Sequence, residues 1–295
     1  MNVRRTAMIA TLTIASLTVA ACGGDAEESA AEPSVAEAPE FEAGTTMAEI
    51  AEAGTIRVGT KFDQPGFGLE NLEGELEGFD VEVAKIIAAE LGIAPEDIEW
   101  VEAPSAVREE VIEGDEVDMV VATYTINDTR KERITFAGPY YTAGQQIMVA
   151  ADDDTITGPE SLAENPDAKV CSVTGSTPSV NIAEYLASPD QLTLFEEYSQ
   201  CADSLENGQV QAVTTDNVIL LGFVAESDGA FKLVGEQFTE EPYGIGISKG
   251  DVEFCEFINE TLAANEEAYV AAWEATAGQN EGTETPELPT ADECV

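Results

Sequence analysis

The sequence predicts an α/β protein in two lobes, each a mainly parallel sheet flanked by helices, with the chain crossing between them twice. Three observations carry this. Apolar runs of strand length alternate with segments of helical period from about residue 55 to residue 235, the pattern of a parallel sheet covered on both faces. The alternation is made twice, on either side of about residue 150. Finally, 108–125, REEVIEGDEVDMVVATYT, and 201–218, CADSLENGQVQAVTTDNV, share one plan: a helix, a glycine turn, a valine, a short strand and then polar residues. Their identity is weak, so the likeness is one of architecture between lobes and not a sequence repeat.

Taken in order, Met47 to Ala53 reads as a short helix stopped by Gly54, and Thr55 to Gly59 as a strand. Lys61 to Gly68 forms the loop at that strand's carboxyl end. Val81 to Leu91 places Val83, Ile86, Ile87 and Leu91 on one helical face and stops at Gly92. Ile98 to Val101 is a strand, Val107 to Ile112 a helix closed by Gly114, and Val117 to Ala122 a buried strand. The apolar run from Gln146 begins the second set. That set holds a strand at Lys169 to Val173, a loop at 174–178 and a helix at Ser179 to Ala187. A strand at Thr193 to Tyr198, a helix at Cys201 to Glu206 and a strand at Val210 to Thr214 follow, then a helix at Asn217 to Ala225 and a strand near Phe231 to Val234. A final helix begins near Asp251, with Phe254, Phe257, Ile258 and Leu262 spaced to pack. Lobe 1 is therefore expected at 46–147 plus 241–295 and lobe 2 at 148–240, with crossings near 145–150 and 238–245.

The amino terminus reads as an export signal over residues 1–21: Arg4 and Arg5 precede an apolar run, Ala7 to Ala21, too short to span a bilayer. It ends Val19-Ala20-Ala21-Cys22, which resembles a bacterial lipobox, so Cys22 is the expected lipidation site. Residues 22–45, rich in Ala, Glu, Pro, Ser and Gly with almost no large apolar side chains, read as a disordered acidic tether. The other cysteines, Cys171, Cys201, Cys255 and Cys294, are even in number, as two disulfides in an oxidising compartment would require. Three pairings exist; Cys171 with Cys201 and Cys255 with Cys294 is preferred, because each closes a loop within one region of the chain.

The charge excludes whole classes of function. The chain of 295 residues holds 59 acidic and 12 basic residues, a formal −47, and no histidine. Nucleic acids and anionic membrane surfaces are excluded as partners on that balance. Without histidine there is no Ser-His or Cys-His catalysis and no ordinary zinc site, so no metal or cofactor is expected. Cleavage before Cys22 leaves ten basic against 59 acidic residues, a formal −49. Against that background the segment 117–141, VDMVVATYTINDTRKERITFAGPYY, stands out. It places hydroxyls at Thr123, Thr125 and Thr129 and cations at Arg130, Lys131 and Arg133 just beyond a buried strand, where open α/β sheets bind ligands. An arginine there can grip a carboxylate with two parallel hydrogen bonds.

Several motifs, in order, give the chain a resemblance to the extracellular solute-binding proteins of amino-acid ABC transporters (family 3). They are Gly78-Phe79-Asp80-Val81-Glu82-Val83 with Ile87-Ala88 and Leu91, the step from Thr125 to Arg130, Phe136-x-x-Pro-Tyr-Tyr, Gly175-Ser176-Thr177, and Thr215-Asp216 after a strand. The resemblance spans roughly residues 50 to 275. It implies the two-lobed type II periplasmic-binding-protein-like fold, with a ligand trapped between closing lobes and handed to a membrane permease. Carried over, it implies that Arg130 pairs with an amino acid's α-carboxylate beside Thr125 and the backbone amide of Thr177. Asp216, helped by Thr123, would take the α-ammonium. Lys61 and Arg108, with Ser105 and Tyr198, resemble the places where relatives read an acidic side chain, and Phe62 an aromatic packed on the ligand's stem. So few cations gathered at one cleft suit an anionic ligand, since elsewhere the field would repel it. Alternatively, Arg108 and Lys61 form plain ion pairs with Glu109 or Asp63, and Phe62 packs as ordinary core.

The expected function is thus capture of an acidic L-amino acid, glutamate first, by a monomeric binding component without catalysis, tethered to the membrane outside the cell by lipid on Cys22. Glutamine or another polar amino acid is the nearest alternative. From other classes, the same fold could serve a dehydratase or peptidoglycan lyase, for which no acid–base glutamate stands out, or a sensory receptor module.

Overall fold

A computed structural model describes residues 33–295. The export signal, Cys22 and the first part of the tether lie outside the described residues. The chain begins with α1 (Thr46–Ala53), β1 (Ile56–Thr60), and three short strands, β2 (Asp63–Gln64), β3 (Gly68–Glu70) and β4 (Leu76–Glu77). Next come α2 (Phe79–Glu90), β5 (Ile98–Glu102), α3 (Arg108–Glu113), β6 (Met119–Val120), α4 (Asp128–Lys131) and β7 (Thr135–Ala143). After Gly144 follow β8 (Gln145–Ala150), α5 (Glu160–Glu164), β9 (Val170–Val173), α6 (Thr177–Asn181), β10 (Leu192–Phe195) and α7 (Tyr198–Glu206). The remainder is β11 (Ala212–Asp216), α8 (Asn217–Glu226), β12 (Phe231–Val234), β13 (Glu241–Ile247), α9 (Val252–Ala264) and α10 (Glu266–Ala275).

Two five-stranded sheets form the lobes, in the orders β5-β1-β6-β13-β7 and β10-β9-β11-β8-β12. Within each, one strand opposes the rest. In lobe 1 it is β13, antiparallel to β6 and β7; in lobe 2 it is β8, antiparallel to β11 and β12. Both are the strands that a crossing delivers from the other lobe. The remaining pairs, β1 with β5 and β6, and β9 with β10 and β11, are parallel.

Several elements differ from the sequence expectation. The buried run 117–122 supplies only two residues of ladder, because the chain turns sharply at Thr123, whose φ is +44°. Strand β7 was hidden by Gly138-Pro139 in its middle, since proline cannot donate to a ladder. The expected loop at 61–68 folds partly into the small antiparallel sheet β2-β3-β4. The expected strand to Tyr198 ends at Phe195, and Tyr198 instead opens α7. The reading of residues 22–45 as disordered needs correction over its second half. Ala36 N–H donates to Ala89 O at 2.8 Å. The Phe41 ring stands edge-on to Phe257 at 5.6 Å, and Pro39 lies against Gly92, where a Cβ would come within 2.9 Å of its ring. One phenylalanine and one bare glycine suffice to dock a segment whose average composition is that of a spacer.

The core of lobe 1 is an aromatic cluster. Phe67, Phe79, Tyr140, Tyr243, Tyr269 and Trp273 are fully buried, and Tyr141 stacks on Trp273 at 4.9 Å. Edge-to-face contacts such as Phe79 on Trp273, at 5.1 Å, are the favoured geometry for such rings. The cluster fastens both hinge strands, β7 through Tyr140 and Tyr141 and β13 through Tyr243, to lobe 1. Disulfides join Cys171 to Cys201, fixing α7 to β9, and Cys255 to Cys294, pinning the tail to α9.

Candidate functional site

Between the lobes lies a cavity lined by Ser105, Arg108, Thr123 and Thr125 from lobe 1 and by Ser176, Thr177, Pro178, Tyr198, Thr215, Asp216 and Ile219 from lobe 2. Its unfilled space, counted with the open mouth, is about 210 Å³. It sits beyond the ends of β6 and β11, where the strand order of each sheet reverses.

Lobe 1 brings cations. Lys61, at the end of β1, is 2% exposed, and its Nζ donates to Ser105 Oγ at 2.9 Å. Burial, then the Arg108 charge, lowers its ammonium to about 7. Arg108, also 2% exposed, lies over the Tyr124 ring at 4.1 Å. Its Nη1 donates to Ala122 O at 2.8 Å and Thr123 O at 3.3 Å, while its Nε is buried without a partner. Neither cation forms an ion pair among the described residues, so the alternative of plain ion pairs with Glu109 or Asp63 fails. Glu109 instead pairs with Arg130, at 3.3 Å. Arg130 also donates from Nη1 to Thr125 O at 2.6 Å and, across the cleft, from Nη2 to Gly175 O at 3.0 Å.

The left-handed backbone of Thr123, costly for a β-branched residue, is held from three sides. Asp80 Oδ2 accepts its N–H at 2.7 Å, Gln64 Oε1 accepts its hydroxyl at 3.0 Å, and Arg108 lies on its carbonyl. Asp80 also takes the Tyr140 hydroxyl at 2.6 Å. Burial raises the Asp80 carboxyl to about 7 against the opposing pull of those hydrogen bonds.

Lobe 2 brings the acid and hydroxyls. Asp216, closing β11 and opening α8, accepts the Tyr243 hydroxyl on Oδ2 at 2.6 Å, while its Oδ1 is buried without a partner. Burial, then the Glu241 charge, raises its carboxyl to about 7. Thr215 Oγ1, beside it, is likewise unpartnered. Burial, then the Asp216 charge, pushes the Tyr198 phenol up to about 12. Thr177 Oγ1 donates to Glu241 Oε2 at 2.8 Å and reaches Thr125 Oγ1 at 3.2 Å.

The structure thus gathers Ser105, Arg108, Thr123, Thr125, Thr177, Tyr198 and Asp216 around one cavity. Lys61 stands behind Ser105, and Arg130 bridges the lobes at Gly175. Phe62 is half-buried and is not part of the lining. Sequence reasoning missed Ser176, Thr215, Pro178 and Ile219 in the lining. Ser176 and Thr215 were legible in principle, since each adjoins a residue that was chosen. It also missed Gln64 and Glu241, which act from behind and carry no motif.

A family model described as bacterial extracellular solute-binding proteins, family 3, matches residues 56–271. Glutamate-binding protein GluB of Corynebacterium efficiens is 42% identical over 75% of this chain and 77% of its own. The ABC transporter glutamine-binding protein GlnH of Bacillus subtilis is 37% identical over 74% of this chain and 78% of its own. Among solved structures, an ancestral arginine-binding protein bound to glutamine superposes with a TM-score of 0.69 at 35% identity, covering 75% of this chain and 96% of that one.

Proposed function

Because the chain belongs to the family 3 bacterial extracellular solute-binding proteins, we propose that it is the glutamate-capturing component of an ABC importer. The observation that carries this is the uncompensated charge around the cavity. Among the described residues Lys61 and Arg108 are buried with no carboxylate partner, and across from them Asp216 holds a buried oxygen with no donor. Unpaired buried charges are costly. An amino acid with a second carboxylate supplies what each lacks. Arg130, Thr125 and the Thr177 amide take the α-carboxylate, Asp216 and Thr123 the α-ammonium, and Lys61, Arg108, Ser105 and Tyr198 the side-chain carboxylate. Phe62, half-buried next to Lys61 in the chain, would pack on the ligand's aliphatic stem. Water leaves as the lobes close, which strengthens each pair.

Glutamine is the second reading. The lining is rich in hydroxyls that serve an amide as well, and Lys61 near 7 is half neutral at physiological pH. Lipid on Cys22 and an acidic spacer would hold a monomer beside its permease. The tasks of the four carboxyls buried among the described residues support binding rather than turnover: Glu109 pairs with Arg130, and Glu241 accepts hydrogen bonds from Thr177 and Asn181. Both Asp80 oxygens are engaged in fixing Thr123 and Tyr140, and a bound ammonium would keep Asp216 ionised and idle as a proton donor.

Calorimetric titration of the chain, unfolded and refolded to strip bound amino acid, with glutamate, aspartate, glutamine and arginine tests the proposal. One-to-one binding of glutamate, recovered unchanged, is expected. Chemical conversion of any of them would install the enzyme reading, and binding of arginine alone would sink the cationic pocket.

A further inference from the structure

Helix α7 lacks a cap of its own. Its N-cap residue is Glu197, in extended backbone, whose side chain makes no capping bond, although the first N–H groups of a helix need acceptors. The acceptor comes from the other lobe. Asp63 Oδ2 takes the N–H of Tyr198 at 2.7 Å and lies 3.4 Å from that of Ser199. A carboxylate at a helix N-terminus satisfies the donors and complements the helix dipole together. A second contact seats the same loop. Pro65 O lies so close to α8 that a Cβ at Gly222 would stand 2.3 Å from it. Residues 63–65 of lobe 1 thus form a finger set between α7 and α8 of lobe 2. Around it the seam is repulsive: Glu102 on β5 has its carboxyl raised by burial and then by Glu197, which opens α7.

We propose that Asp63, outside the cavity lining, is the positioning residue that latches the lobes, by capping α7 across the cleft and so holding Tyr198 against the ligand. The inference rests on the reading of the cavity as the amino-acid site. Helix α7 cannot drift within its own lobe, because Cys201 ties it to β9 through Cys171; what the cap holds is therefore the lobe. Opening of the lobes would draw the finger off α7, so the latch acts after encounter. Its loss belongs to the dissociation rate and not to the association rate.

Stopped-flow measurement of glutamate association and dissociation tests this on the native chain and on Asp63→Ala, Asp63→Asn and Gly222→Ala. Asp63→Ala should dissociate glutamate about tenfold to hundredfold faster, the range for a hydrogen bond to a charged group, with association unchanged. Asp63→Asn, keeping an acceptor but not the charge, should fall between. Gly222→Ala should unseat the finger, and combined with Asp63→Ala it should add less than its separate effect, since both break one contact. An unchanged dissociation rate in Asp63→Ala, or a loss carried wholly by association, overturns the latch while leaving the ligand reading intact. Failure of the native chain to bind glutamate or glutamine sinks the ligand reading and the latch's role in capture with it.

Discussion

The two lobes share one topology and divide the chemistry unequally. Lobe 1 presents Lys61, Arg108 and Arg130 at the cleft, three of the few cations in a strongly acidic chain, and braces the two arginines on one aromatic ring: Arg108 and Arg130 lie 4.1 and 5.0 Å from the centre of Tyr124. Lobe 2 presents one acid, Asp216, amid Ser176, Thr177, Thr215 and the Tyr198 phenol. Neither half is complementary to an amino acid alone. On the proposed reading, cations on one side and an acid on the other become a zwitterion's site only when brought together, so the division of charge would make closure depend on the ligand. The seam around the cleft repels through Glu102 and Glu197, which sharpens that dependence.

The comparison breaks most severely at Asp216. Asp216→Asn should weaken every amino acid, glutamate and glutamine alike, by about 30-fold or more, since truncating one partner of a buried charge pair costs ~2–5 kcal/mol; calorimetry reads it. A loss confined to glutamate would misplace the ammonium. Arg108→Ala comes next. It should cost glutamate about tenfold to hundredfold, as a charge-assisted hydrogen bond is worth ~1.5–3 kcal/mol, and cost glutamine little. Equal losses would show that Arg108 serves the fold or the α-carboxylate instead.

A subtler asymmetry lies in the protons. Lys61 and Asp216 are both shifted to about 7, mainly by burial, and a bound glutamate would favour the charged form of each. Above neutrality Lys61 is largely neutral, so binding takes up a proton and affinity falls as pH rises. Below neutrality Asp216 is largely protonated, so binding releases a proton and affinity falls as pH drops. Titration at pH 8 and pH 6 in buffers of different ionisation enthalpy should find uptake at the first and release at the second. The same sign at both would remove one of the two residues from the site.

Much of this was legible in the sequence, for identifiable reasons. Strands such as β1 and β9 and helices such as α2 carry their periodicity on their surface, and both disulfides followed from counting and loop closure. What escaped depends on contacts far apart in the chain. Strand β13 is recognisable only beside β7, and β7 is broken by Gly138-Pro139. The docking of residues 36–41 needs Gly92 and Phe257 in place. At the site, Thr123, Thr125 and Asp216 were marked by position after a strand, Ser105, Arg108, Thr177 and Tyr198 only by resemblance to the family, and Ser176, Pro178, Thr215 and Ile219 were given a role by neither. Those that hold them were not marked as part of the site: Gln64 and Asp80 fix Thr123 from behind, Glu241 steers Thr177 and Asp216 from the hinge, and Asp63 acts on a helix 135 residues away.

If the cleft of lobe 1 is built for a second carboxylate, the ratio of glutamate to glutamine affinity must show it. Measured on the native chain in one buffer at pH 7, glutamate should bind at least about tenfold more tightly, the worth of a single buried charged hydrogen bond. Glutamine binding equally well or better would contradict the account, and would make Lys61 and Arg108 supports of the fold instead of readers of the ligand.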